Sequence, residues 1–115
     1  MGWTQGRIKS FIISVLRTGA RRWPPKHECL QDAYTGQKLN PKSGRMAKHY
    51  RCAACQQEFT SKDVEVDHIS PVVSVEEGFI DYNTFIERLF CTKENLQVLC
   101  IPCHRLKTKQ EKKLR

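Results

Sequence analysis

Asp67 and His68 stand side by side in the stretch VDHISP, residues 66–71. A carboxylate beside an imidazole can hold a cation and move a proton, the two operations that hydrolytic chemistry asks of a site. Neighbouring side chains of a regular strand point to opposite faces, so the two serve one site only where the strand ends or twists. Pro71 cannot donate to a ladder and supplies such an ending. The cysteines offer a different chemistry. Four of the six fall as CAAC (Cys52, Cys55) and CIPC (Cys100, Cys103), while Cys29 and Cys91 stand alone. Paired CxxC spacing suits one tetrahedral zinc better than a disulfide framework. Four thiolates close the shell of that ion, so the zinc is expected to be structural and the chemistry to lie elsewhere.

The pairs are separated by 44 residues. A zinc joining them brings the chain after Cys103 near the chain after Cys55, so Asp67, His68 and His104 can converge although they are distant in sequence. Asn95, just before the run into LC, can bond main-chain groups and fix the loop that carries His68. His27 and His49 have no ligand or carboxylate at suggestive spacing and are expected at the surface or partly buried. Cys29 and Cys91 are expected as small apolar residues near helices, and Trp23 as an anchor of the N-terminal segment.

The elements that must position these groups follow from periodicity. Ile8, Phe11, Ile12, Val15 and Leu16 recur at helical spacing, which predicts an amphipathic helix covering the core. RRWPPK, residues 21–26, ends it, and a second short helix is expected over KHECLQDAY, residues 26–34. Residues 35–44, TGQKLNPKSG, are expected as a loop. HYRC (49–52) and VEVDHI (64–69) are expected strands, with CQQEF turning the chain between them. DYNTFIERLF, residues 81–90, predicts a helix packed on the core. NLQVLC (95–100) predicts an extended run, and a basic helix is expected from His104 onward.

At 115 residues the chain fits one compact domain and is small to stabilise by apolar burial alone. No apolar run approaches membrane-spanning length and the first residues do not resemble a secretory signal, so a reducing cytoplasm is expected. The net charge of +8 is uneven. Residues 1–26 carry six basic and no acidic side chains, residues 105–115 six and one, and the middle eight and eleven. Basic arms suit a polyanion, nucleic acid first, although solvated helix faces carry such charge too. The candidates for contact are Arg7, Arg17, Arg21, Arg22, Lys107, Lys112 and Lys113.

DHISP, the Asn95 of ENLQVLC and the CHRLKT of His104 resemble, in order and spacing, the HNH endonuclease family in the version stapled by two CxxC pairs. The likeness covers Arg51 to Gln110, about half the chain. LRTGARRWPPKHECLQDA is similar to the leader of small bacteriophage-encoded members, some of them homing or nicking enzymes. The resemblance implies an α+β fold: a small zinc-stapled ββα-metal core, treble-clef-like, with an N-terminal helical segment (1–47) and a nuclease domain (48–115) ending in the basic helix. It implies that His68 is the general base, that Asp67 and His104 hold a catalytic ion, and that Asn95 orients the His68 loop. A carboxylate at Asp67 favours magnesium or manganese. Neutral imidazole, with an unperturbed pKa of about 6.5, can take a proton from water, and Lys107, one turn after His104, can reach a phosphate. The implied partner is double-stranded DNA in the cytoplasm of a bacterial host, with phage packaging proteins as a further candidate and the protein a monomer or weak dimer. Two other readings compete: a zinc-stabilised DNA-binding module without cutting, and a thiol redox protein using CxxC.

Overall fold

The computed structural model describes residues 2–113. It is a mixed α+β chain with four α-helices and two small antiparallel sheets among those residues. Helix α1, Gln5–Ala20, starts at Thr4, whose hydroxyl accepts from the Arg7 backbone N–H at 3.2 Å. Helix α2, Pro24–Asp32, opens with both prolines in its first turn, where no N–H is required of them. It ends short of Tyr34, because Tyr34 already begins a strand.

The expected loop over residues 35–44 is overturned. Strand β1, Tyr34–Asn40, pairs with β2, Arg45–Arg51, in a hairpin closed by Asn40 and a left-handed Gly44 at φ 72°. Its outer end packs on nothing on one face, so no alternation of apolar and polar residues marks it as strand. Strand β3, Glu58–Thr60, adds to β2, so CQQEF leads into a third strand rather than simply reversing the chain. Strands β4, Val64–His68, and β5, Leu96–Cys100, form the second sheet, with Val64 opposite Cys100 and His68 opposite Leu96. Helix α3, Tyr82–Leu89, lies in the long connection between them and is capped by Asp81, whose carboxylate accepts from Thr84 N–H at 2.7 Å. That bond holds the Asp81 carboxyl below its usual range. Helix α4, Ile101–Lys113, follows β5 without a break and starts three residues before His104. Leu114 and Arg115, the last residues of the expected basic helix, lie outside the described residues.

Three small apolar clusters replace one large core. Cys29, Tyr50, Val64, Leu96 and Val98 join α2 to both sheets. Ala20, Val72, Phe85 and Leu89 join α1 to α3, with Ile13 and Leu16 beside them. Cys52, Leu99 and Cys100 form the third. Full burial of a Phe or Leu side chain contributes about 1.5–3 kcal/mol, so clusters this small hold the chain by a narrow margin. The expected role of the α1 stripe is also overturned: Ile8 is exposed, and Phe11 and Val15 are 63% and 55% exposed. α1 is rolled so that the Ile13, Leu16 and Ala20 face meets α3, and Phe11 and Val15, roughly half a turn round from Ile13, are left outside.

Trp23 anchors the junction of α1 and α2. Its indole N–H donates to the Cys91 carbonyl at 2.7 Å and its ring meets Phe90 edge-on. No helix among the described residues is long and apolar enough to cross a membrane.

Candidate functional site

The knuckle after β2 and the β5–α4 junction bring the four paired cysteines together. Their Sγ atoms all lie within 4.8 Å of one another, and Cys55 and Cys100 are 3.9 Å apart. Zn–S bonds of about 2.3 Å at tetrahedral angles place sulfurs roughly 3.8 Å apart, so the cluster could hold a structural zinc. The turn is shaped for this. Gln56 takes the left-handed conformation at φ 63°, its N–H bonds the Cys52 carbonyl at 3.0 Å, and Cys55 N–H points to Cys52 Sγ at 3.4 Å. Burial opposes ionisation of Cys52, but N–H groups of Cys100, Cys55 and Ala54 outweigh it and bring the thiol down to about 6. The Cys103 thiol, bonded to Cys100 and partly desolvated, is pushed up to about 12. An ion must therefore displace protons here. Cys29 and Cys91 stand outside the group.

The second site forms where β4 ends. Asp67 and His68 do point to opposite sides of the strand, Asp67 toward α4 and His68 toward the end of α3. They line one cleft of about 210 Å³ nevertheless, together with Arg17, Pro71, His104 and Lys107, because the chain leaves the sheet after His68 and opens it. Asn95 holds that turn at two levels. Its carbonyl accepts from Ile69 N–H at 2.8 Å, and its side-chain oxygen accepts from Ser70 N–H at 3.0 Å.

His68 Nε2 lies 3.0 Å from the Leu89 carbonyl. A carbonyl only accepts, so Nε2 carries the hydrogen, and in the neutral tautomer this selects Nδ1 is the nitrogen with the lone pair. Asp67, only 12% exposed, has one oxygen 3.5 Å from His104 Nε2. Its other oxygen accepts from Gln97 Nε2 at 3.2 Å and Lys107 Nζ at 2.9 Å. His104 Nδ1 meets Glu65 at 3.2 Å. Lys107, expected toward a phosphate, is instead internal to the site. Its ammonium also reaches Glu111 at 2.7 Å and the His68 carbonyl at 2.9 Å. Burial works against its charge, but the bonds to Glu111 and Asp67 prevail and hold its pKa above the usual value.

Glu65, Gln97 and Glu111 were not anticipated as parts of this site. The Lys107–Glu111 pair had a signal, an acid four residues on from a base in a predicted helix. Glu65 had one too, sharing the Asp67 face of the strand. The Leu89 carbonyl had none, because every residue carries one.

Of the basic arms, Arg17 and Lys107 line this cleft and the others lie elsewhere. Arg17 stacks over Phe85 at 5.4 Å on the cleft wall, and Arg7 covers Trp3 at 4.4 Å. Arg21, Arg22, Lys26 and His27 line a separate cavity of about 740 Å³ that ends at Glu65. None of Arg7, Arg17, Arg21, Arg22 or Lys26 forms an ion pair among the described residues. Desolvation, with Arg17 and Arg21 nearby, lowers the Lys26 pKa. Lys112 lines a shallow cleft with His104 and Lys109, and Lys113 is exposed. His49, expected at the surface or partly buried, is buried, with Nδ1 2.9 Å from the Ala47 carbonyl. Comparison with known proteins supplies no relative: no family model, curated protein or solved structure matches the chain.

Proposed function

We propose that the chain is a metal-dependent DNA endonuclease of the HNH, ββα-metal kind. The observation that carries the reading is one cleft lined by His68, with its Nε2 hydrogen held by Leu89, and by the Asp67–His104 pair 3.5 Å apart. Strands β4 and β5 followed at once by α4 supply two strands and a helix in the required order. His68 Nδ1 is the acceptor for a water proton, and the Leu89 carbonyl keeps the ring oriented as the imidazole becomes charged. Asp67 and His104 would hold a magnesium or manganese ion, which when bound stabilises charge on the phosphate and the leaving oxygen. Arg17, on the cleft wall and without an ion pair among the described residues, would be available to a phosphate bound there. Asn95 keeps the turn after His68 from relaxing.

One observation favours a second reading, a zinc-stabilised DNA-binding module that does not cut: Lys107 already neutralises Asp67. Supercoiled plasmid with added magnesium or manganese separates the two. Each chain has one Asp67, His68 and His104, so one site attacks one strand, and the two scissile phosphates of a duplex lie on antiparallel strands. Nicked circles are expected first at low protein concentration, with linear DNA as a later, second event. Supercoils intact at every concentration would overturn the nuclease reading, and retained binding of the duplex would then favour the binding module. Linear product from the outset, with a rate rising as the square of protein concentration, would replace the monomeric nickase by a two-fold dimer.

The C-terminal charges give a separate expectation. Lys112→Ala/Lys113→Ala should weaken duplex binding and flatten the plot of log affinity against log salt by nearly two, at about 0.9 per phosphate neutralised. An unchanged slope assigns these lysines to solvent.

A further inference from the structure

The β1–β2 hairpin carries a concentration of charge that averaging over the middle of the chain conceals. Residues 34–51 include Lys38, Lys42, Arg45, Lys48 and Arg51 and no acidic side chain. In its register Leu39 faces Met46 and Gln37 faces Lys48, which places these four on one face. All four are exposed, Leu39 by 58% and Met46 by 62%. The opposite face turns to the body, where Lys38 pairs with Glu58 and Lys42 lies 4.0 Å from Asp63. Nearer the base the outer face is closed, since Tyr50 is buried against Tyr34. Only the far half of the ribbon is bare.

An uncovered apolar pair on an antiparallel ribbon invites association, and basic side chains around it select a polyanion over another apolar surface. The major groove of duplex DNA is about 12 Å wide and admits a two-stranded ribbon, and thymine offers a methyl group there to apolar side chains. The hairpin also adjoins the helix that bears His104: Asn40 and Lys42 share a cleft with Ile101 and Pro102, the first residues of α4. We propose that the outer ribbon, residues 37–48, lies in the major groove of duplex DNA, with Leu39 and Met46 against thymine methyls, Lys48 on a phosphate from the same face, and Arg45, exposed at the tip across from Asn40 on the other face, reaching round the ribbon's end to a second phosphate. The choice of DNA rests on the nuclease reading. The ribbon adds a hold on sequence and orientation that the cleft alone does not supply.

The test measures binding of a fluorescent AT-rich duplex, without magnesium or manganese, over a range of salt. A second duplex carries deoxyuridine for thymidine and so lacks the methyls. Arg45→Ala/Lys48→Ala should flatten the salt slope by nearly two, at about 0.9 per phosphate, where the charge-matched Lys62→Ala/Lys93→Ala changes it little. Leu39→Ser/Met46→Ser should keep the slope and erase a several-fold preference of the unaltered protein for the thymidine duplex. Zinc content and melting temperature verify that the variants are folded. Ribbon variants that match the unaltered protein in affinity and slope overturn the proposal even if plasmid is cut. A flattened slope without any thymidine preference overturns the groove placement. Weakened ribbon variants of a protein that binds but never cuts support the ribbon and overturn the nuclease reading. Failure of the unaltered protein to bind duplex overturns both.

Discussion

A Cys52→Ala chain is expected to lose its bound zinc and with it cooperative unfolding. Around the four sulfurs there is little else to hold the chain: the third apolar cluster consists of Cys52, Leu99 and Cys100, with Phe59 and Cys103 at its edge. Two of the three buried members are themselves ligand candidates. Structural zinc contributes about 10–16 kcal/mol of apparent binding energy near neutral pH, against a total stability of about 5–15 kcal/mol for a typical domain. Removing one of four thiolates therefore removes an amount comparable with the whole margin. Cys29→Ala is the control, because Cys29 is buried in a different cluster and outside the sulfur group, and its loss should cost on the order of 1 kcal/mol. Zinc per chain and thermal melting decide the matter. Cys52→Ala with unchanged metal and unchanged melting would exclude a four-thiolate site. The same chemistry sets a pH dependence. The Cys103 thiol stands near 12 and the Cys100 thiol is also raised, by burial, so zinc has to expel their protons. Zinc affinity falls as pH falls, because each thiolate that takes up a proton is a ligand lost. A chelator should accordingly unfold the protein more readily at acidic than at alkaline pH.

Much of the architecture was legible because local pattern and tertiary demand agree. In DYNTFIERLF, Phe85 and Leu89 are four residues apart and both are buried, as an amphipathic helix on a core requires. The two CxxC spacings converge as read. The hairpin was not legible, and for a physical reason. An outer ribbon with no covered face exerts no selection for alternation, so TGQKLNPKSG showed only its turn residues. A charge count confined to residues 34–51 would have exposed it. The α1 stripe was read correctly as amphipathic and wrongly as covered, since periodicity defines a face but not what that face meets. Phe11 and Val15, each two residues from Ile13 and so roughly half a turn round the helix from it, remain in solvent because the face that meets α3 is the Ile13, Leu16 and Ala20 one. In the site, side chains carried the signal and backbone did not. Asp67, His68 and His104 could be named from their chemistry. That the Leu89 carbonyl fixes the His68 ring depends on where α3 ends, which no pairwise spacing reveals.

His68→Ala is expected to lower DNA cleavage by about 10²–10⁴-fold, the usual contribution of a general base, while zinc content and duplex affinity stay near those of the unaltered protein. The separation follows from what the ring touches. On the nuclease reading Nδ1 accepts a proton, an operation needed only on the way to the transition state, whereas ground-state DNA contact would fall to cations with no ion pair among the described residues, such as Arg17 and Arg21. The ring also has a structural tie, through Nε2 to the Leu89 carbonyl, which joins β4 to the end of α3. A loss of cutting could then come from a displaced turn alone. His68→Gln separates the two causes. Its amide N–H can replace the donor to Leu89 and keep the turn, but an amide does not act as a base at neutral pH. Gln and Ala variants should be equally inactive, with the Gln protein closer to the original melting temperature. Cutting restored by Gln would reassign His68 to a positioning role and place the base elsewhere in the cleft. Cutting at an undiminished rate by the Ala variant would remove His68 from the reaction altogether.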